Sequence, residues 1–296
     1  MTDLLTIGHV ARDEFAGEAD WRLGGTALYA AAAAARLGTS VALLTRVGPN
    51  ERERLAARCR DLGIELRALE AEATTTFAFR YVDGKRRLRL KARARSIGSD
   101  VVPAELRSAG AVVLASIAHE LGRDLASAFA QVPRVLAAQG YLRTWDADGT
   151  IRRREWDDAA DVLAGVSVAV VSEEDIDGDL GLARGWARSA AVAVTLAERG
   201  ALLLSGGREV VVPGFPAERV VDPTGAGDAF CAGLAIALAG GARLEEAARF
   251  ANAVASFAVE AVGVDGLGTR EQVEMRMRGQ GSPSISSSAP GKTAQP

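Results

Sequence analysis

Short unbroken apolar runs punctuate the chain: LLTIG (4–8), VALLTRV (41–47), AVVLASI (111–117), VSVAVVS (166–172) and VAVTLA (192–197). Runs of this length without polar alternation suit strands buried on both faces, the situation of a parallel sheet covered by crossover helices. Helical spacing falls between and after them, at about 26–37, 50–62, 121–131, 180–189, 225–239 and 244–262. In the second of these, ERERLAARCRDL (51–62) puts charge on one face and Leu and Ala on the other. The alternation predicts an α/β fold with a mainly parallel sheet.

One region breaks the pattern. In TTTFAFRYVDGKRRLRLKARA (74–94), Phe77, Phe79 and Tyr81 recur at period two, Asp83-Gly84 signals a tight turn, and Leu88 and Leu90 alternate with Arg87, Arg89 and Lys91. This predicts an antiparallel hairpin with one apolar face. Two strands alone are marginal, so that face needs a cover from further strands, a substrate or a second subunit. The segment ARDEFAGEADWRL (11–23) is placed to add strands, giving a small β lid over about 11–23 and 74–97.

Composition narrows the class. A chain of 296 residues is long enough for one large core, and 48% hydrophobic with 25% charged residues is ordinary for a soluble globular protein. Cys59 and Cys231 are too few for a disulfide framework, and His9 and His119 too few for a zinc cluster. No apolar run approaches the roughly 18 residues of a membrane span, so a cytoplasmic protein is expected, with no membrane partner. The tail GQGSPSISSSAPGKTAQP (279–296) has almost nothing to bury and is expected to be disordered, leaving 1–278 as one domain. Its Gly291-Lys292-Thr293 lacks the upstream glycine and strand of a phosphate loop.

The densest candidate chemistry is VVDPTGAGDAF (220–230). Pro223 holds Asp222 extended, Thr224 is a good N-cap, and the helix that follows is apolar almost all round. Gly225, Ala226 and Gly227 would leave the first amides of that helix uncovered, and the helix dipole adds partial positive charge: a phosphate cradle. Asp228 lies one step further on. A carboxylate beside a bound phosphoryl group is tolerable where it faces an attacking hydroxyl and accepts its proton. On spacing alone the alternative stands equally: a tight turn with an acid that complements the dipole.

At these residues the chain resembles the ribokinase-like, or PfkB, carbohydrate kinases. DPTGAGDAF (222–230) looks like that family's C-terminal signature, and LGGTALYAAAAAARLG (23–38) followed by VALLTRVG (41–48) looks like its N-terminal region. The likeness runs over about 1–275. It implies a parallel sheet between helices with a small β-sheet lid, and transfer of the γ-phosphoryl of ATP to a hydroxyl with Mg²⁺. It makes Asp228 the base and Gly225, Ala226 and Gly227 the anion hole, with Asp222 and Thr224 beside them on the nucleotide side. It makes Asp13 a ligand of substrate hydroxyls, with the backbone of Gly24 and Gly25 beneath the substrate. Thr195 and Gly200 resemble the nucleotide-side loop, and Asn252 a residue lining the adenine pocket. Each also has a purely structural reading: a turn acid, a hinge, a polar side chain satisfied between helices.

Departures refine the likeness. Tyr29 stands where the family often has asparagine, GPNERER (48–54) where it has an aspartate-glycine pattern, and SEED (172–175) where it has Asn-x-x-Glu. Ser172 and Asp175 thereby take the outer positions of the metal and phosphate motif, and Asp175 is the expected Mg²⁺-side residue. With LGGTALY, TTTFAFRY and QGYLRTWD (139–146), the chain looks more like the branch containing plant myo-inositol kinase. That branch places Gln139 and Arg143 near the substrate and favours a sugar, polyol or cyclitol acceptor. A nucleoside kinase of the same fold, or a sensor without catalysis, is the alternative. A homodimer through the lid is a further expectation. Eight Lys and Arg fall in 80–95, which raises nucleic-acid binding as a rival. The net charge of −3 and the lack of a reader module argue for no nucleic-acid partner.

Overall fold

The computed structural model of the protein describes residues 2–17, 20–82 and 85–279. The chain runs through β1 (Leu4–Ile7), β2 (Ala11–Phe15), β3 (Trp21–Gly24), α1 (Thr26–Arg36), β4 (Val41–Val47), α2 (Pro49–Leu62), β5 (Glu65–Glu70), β6 (Thr75–Val82) and β7 (Lys85–Ala92). It continues through β8 (Ala111–Ala115), β9 (Arg134–Ala137), β10 (Arg143–Trp145), β11 (Ile151–Arg153), α3 (Ala159–Leu163), β12 (Val168–Ser172), α4 (Leu180–Trp186) and β13 (Ala191–Thr195). It closes with β14 (Ala201–Ser205), β15 (Arg208–Val212), α5 (Ala226–Ala239), α6 (Leu244–Ala258) and α7 (Arg270–Met277).

Nine strands form one sheet in the order β15-β14-β13-β12-β9-β8-β1-β4-β5. Every pair from β13 to β5 is parallel, and β14 and β15 add an antiparallel edge. The apolar runs are why: each of Leu4, Leu5, Ile7, Val112, Val113 and Val135 is fully buried, alternate residues entering the cores on opposite faces. On one face α1 packs on β1, β4 and β8, and α5 on β8, β9 and β12. Alanine makes this close approach possible, since nine of the eleven residues of α1 are buried. On the other face Leu106, Phe129, Leu163 and Trp186 close the second core.

A second, four-stranded sheet has the order β3-β2-β6-β7, with β2 and β6 parallel and the outer pairs antiparallel. The two-stranded β10–β11 ribbon reaches its edge through an Arg89–Thr150 bridge. The hairpin and the strands expected from 11–23 are thus joined as read. The Asp83-Gly84 turn and residues 280–296 lie outside the described residues.

Three expectations are corrected. No α-helix spans 121–131; only a short 3-10 turn forms at Ala126–Phe129. The backbone is diverted upstream, where Ile97 N–H donates to Glu120 O at 2.9 Å and Gly122 N–H to Ile97 O at 2.8 Å, tying the segment to Ile97 instead of letting it coil. Thr224 is not the N-cap of α5; that position is Gly225, at φ 87°, with no side-chain cap. The last core helix stops at Ala258, and α7 follows, opened by a Thr269–Gln272 capping box. No helix among the described residues is long and apolar enough to cross a membrane.

Candidate active site

The small sheet, the carboxyl ends of β12 and β13, and the N-termini of α1 and α5 enclose a cavity of about 590 Å³. This is where an open α/β sheet presents ligands. The apolar lid face turns into it: Ala11, Phe77, Phe79 and Leu88 line the cavity with Ile117 and Ile151. Ala11, Phe77, Phe79 and Leu90 also pack with Ile117 and Ala118 in a small apolar cluster.

Asp13 is 8% exposed on β2 and lines the lid side. The glycine pair explains its position. A Cβ on Gly24 would fall 2.0 Å from Asp13 Oδ2, and one on Gly25 would fall 2.6 Å from His9 O, at a φ of +97° that L side chains rarely adopt. Only bare backbone lets the carboxylate lie against residue 24 and the chain at 9–11 lie against residue 25. Beneath it, buried His9 ties β1 to the lid, Nε2 meeting Arg95 O at 2.9 Å and Nδ1 meeting Thr75 Oγ1 at 2.7 Å. Burial pushes its pKa down, which favours the neutral ring, with Nε2–H donating to Arg95 O and Nδ1 left to accept from the Thr75 hydroxyl.

Asp228 stands on the opposite wall in the first turn of α5. Burial raises its pKa to about 6; a hydrogen bond from Thr26 and the charge of Arg143 pull the other way, and Asp175 adds to the rise. Such a carboxylate is ionised at neutral pH yet basic enough to take a proton. Gly225 and Gly227 line the cavity beside it, and among the described residues no protein oxygen takes the amide of either. Ala226 does not join them: its N–H donates to Pro223 O at 3.3 Å, and it is absent from the lining. Thr224 lines the cavity, whereas Asp222 shapes the turn from behind, its Oδ1 accepting from Thr224 N–H at 2.9 Å.

On the β12 side, Asp175 and Ser172 bracket each other, Ser172 Oγ donating to Asp175 Oδ2 at 2.6 Å and Asp175 N–H to Ser172 Oγ at 3.0 Å. Gln139 Nε2 donates to Asp175 Oδ1 at 3.3 Å. Thr195, Glu174 and Asp177 complete this side. Arg143, on β10, donates to Ile117 O at 3.2 Å and lies over the Phe77 ring.

Three more expected residues stand outside the lining, and one of them, Gly24, lies behind Asp13 with Gly25 alone of the pair reaching the cavity. Asn252 is buried within α6, its Nδ2 donating to Val212 O and Pro213 O at 3.0 Å, and it does not line the cavity. Gly200 holds the turn into β14 at φ +97°, where a Cβ would fall 2.2 Å from Val212 O, and it too is outside the lining. Both shape the same strand exit. Conversely, Thr26, Arg152 and Arg153 reach the cavity unannounced. Thr26 directly follows the glycine pair, but nothing in its local sequence marks it as Asp228's partner.

Four of the basic side chains of the hairpin region are occupied locally. Lys91 pairs with Glu14 at 2.6 Å, Arg95 with Glu72 at 3.1 Å, Arg89 Nε donates to Asp148 O at 3.0 Å, and Arg93 binds Ala118 O and His119 O at 2.8 and 2.7 Å.

With this geometry in place, comparison with known proteins is decisive at the family level. The model of the pfkB family carbohydrate kinases matches residues 11–269. The chain belongs to that family. Ribokinase of Bacillus subtilis (strain 168) is 46% identical over 82 residues, 27% of this chain and 28% of that protein, so the match spans little more than a quarter of the relative's length. Among solved structures, a pyrophosphate-dependent kinase of the ribokinase family, complexed with a pyrophosphate analog and myo-inositol, superposes with a TM-score of 0.74 at 21% identity, covering 92% of this chain and 99% of that one. Arabidopsis thaliana ribokinase, complexed with ribose and ATP, gives 0.74 at 23% identity, covering 94% and 99%. At such identities these two establish the ribokinase-like fold of this pfkB chain.

Proposed function

We propose that this pfkB protein transfers the γ-phosphoryl of ATP to a hydroxyl of a small sugar, polyol or cyclitol, with a cyclitol such as inositol the favoured acceptor. One observation carries the reading: Asp228, with a pKa of about 6, faces Asp13 across a single cavity and sits beside the unclaimed amides of Gly225 and Gly227. Asp13 and the bare backbone at Gly24 and Gly25 hold the acceptor, Phe77, Phe79 and Leu88 cover its apolar face, and Asp228 takes the hydroxyl proton as the oxygen attacks phosphorus. The amides of Gly225 and Gly227 receive the charge on the transferring group, ADP leaves, and the proton departs from Asp228 to solvent.

Magnesium fits the donor side. Among the described residues no cluster of three or more His, Cys, Asp or Glu would enclose an ion. Mg²⁺, however, commonly rides on donor phosphates with one or two carboxylates and several waters. Asp175, with Glu174 and Asp177 nearby, would supply those oxygens, and the ion would neutralise charge on the donor phosphates. The cyclitol preference draws on the likeness to a fold neighbour bound to myo-inositol and on the QGYLRTWD stretch, which puts Gln139 and Arg143 in the lining.

The test is an ATP-consumption screen over cyclitols, ketoses, aldoses and nucleosides, with the phosphorylated product identified. Acceptor-dependent ADP release with a phosphorylated cyclitol is the expected result. Preferential phosphorylation of a nucleoside would replace the acceptor class, and no acceptor-dependent ADP release in any class would overturn the kinase reading.

A further inference from the structure

We propose that Tyr29 is a positioning residue for phosphoryl transfer: its ring buttresses the Gly225 turn and so fixes the amides that open α5. The inference rests on the kinase reading above, and its observations are separate from those that placed Asp228.

Tyr29 is 8% exposed and is the large side chain of a helix otherwise built mostly from alanine. Its ring lines the cavity and lies directly against the Gly225 backbone. A Cβ on Gly225 would lie 2.4 Å from Tyr29 Cδ1 and 2.9 Å from Cε1. The contact therefore admits no side chain at 225, independently of the φ of +87° that already favours glycine there. Glycine at such a turn is also free to leave it, because its backbone has other conformations at little cost. Something must hold it.

The chain on the N-terminal side of the turn does not. Val220 is 75% exposed and Val221 50%, and the segment is pinned chiefly by the amides of Val221 and Asp222, both donating to Val259 O. Within the turn, Asp222 Oδ1 takes the Thr224 amide, Ala226 N–H donates to Pro223 O and Ala229 N–H to Gly225 O; side-chain packing against Gly225 comes from α1, through Tyr29. The same ring stands near Asp13, Asp222 and Asp228, whose charges, after burial, raise the pKa of its phenol, so the side chain stays neutral among the acids. Because Gly25 is the N-cap of α1, one helix carries both the bare backbone proposed beneath the acceptor and the prop under the anion-binding turn.

A fixed turn matters in the step where charge moves. A displacement of about 1 Å in a reacting constellation is enough to lose roughly 10²-fold in rate. Loss of the ring should thus reduce kcat and leave acceptor KM nearly unchanged, since Asp13 and the lid hold the acceptor.

The experiment is a double-mutant cycle on the full chain with Tyr29→Ala, Gly225→Ala and their combination, plus Tyr29→Phe, reading kcat, acceptor KM and thermal stability. The expected outcome is a fall of about 10–100-fold in kcat for Tyr29→Ala at acceptor KM within about threefold, with Tyr29→Phe restoring most of it. Gly225→Ala should be severely impaired alone and less so in the Tyr29→Ala background, where the collision is gone, although φ still disfavours alanine. Wild-type kcat in Tyr29→Ala would overturn the proposal. So would an equal defect of Gly225→Ala in both backgrounds, or a Tyr29→Phe as slow as Tyr29→Ala, which would assign the effect to the hydroxyl. If the wild type phosphorylates no acceptor, the kinase reading fails by itself. The stability arm of the cycle then still decides whether ring and turn are coupled.

Discussion

The lid and the floor meet at one cavity but are held together by different forces. The floor, α5 on the large sheet, is fixed by packing: Ala229 to Ala235 are buried, and a Cβ on Gly233 would already lie 3.0 Å from Ala251 Cα of α6. The small sheet has only a small apolar cluster around Phe77, Phe79 and Leu90 and leans on polar links, from Lys91 to Glu14, Glu14 to Arg12, Arg12 to Glu51 and Glu51 to Thr74, with His9 at its root. Close packing yields little to small displacements, whereas exposed ion pairs contribute about 0–1 kcal/mol each and exchange readily. On the proposed reading, the chemistry that tolerates no misplacement sits on the packed side, and recognition of the acceptor on the side that can adjust.

Substitutions on the two sides should therefore fail in different columns. The largest effect belongs to the floor. Asp228→Asn should lose about 10²–10⁴-fold in kcat in a coupled ADP-release assay, with ATP binding retained by calorimetry. It should also gain stability. A folded pKa raised from 3.8 to about 6 means that the native state binds this proton more tightly than the unfolded chain. That contribution is complete below pH 3.8 and is lost as pH rises through about 6, so the ionised group costs up to roughly 3 kcal/mol at pH 8. Asp228→Asn should thus melt higher than wild type at pH 8, with the gap closing as pH falls toward 4.

Next in size, Asp13→Asn on the lid should raise acceptor KM by about 10–100-fold, as expected for loss of a charge-assisted hydrogen bond worth about 1.5–3 kcal/mol, while leaving ATP KM unchanged in steady-state kinetics. Glu51 is 5% exposed and accepts from both Arg12 and Thr74. Glu51→Gln should lower stability by about 1–3 kcal/mol in urea unfolding. The smallest change is Lys91→Ala, which cuts a pair exposed at 52% and 28% and should shift stability by no more than about 1 kcal/mol. A lid variant that lowers kcat as far as Asp228→Asn, at unchanged acceptor KM, would dissolve the contrast.

How much of this was legible in the sequence follows the same division. Unbroken apolar runs announced β1, β4, β8, β12 and β13, because burial on both faces leaves no other composition. The hairpin was legible from its period of two, and VVDPTGAGDAF from turn chemistry at a helix start. Segment 121–131 was not, because its fate depends on hydrogen bonds to Ile97, more than twenty residues upstream. Asn252 and Gly200 were read as nucleotide contacts, yet each is spent on the strand exit at 212–214, a partner that spacing cannot reveal. Thr26 under Asp228 and the Tyr29 ring on Gly225 are contacts between segments about two hundred residues apart. Only folding brings them into view.

The most direct test compares the pH dependence of kcat/KM for wild type and for the residual activity of Asp228→Asn, both with saturating MgATP. Proton abstraction by Asp228 requires a wild-type profile that falls about tenfold per pH unit below about 6. Asp228→Asn should lack that limb, although donor and metal titrate identically in both. The same limb in both proteins would remove Asp228 from the role of base.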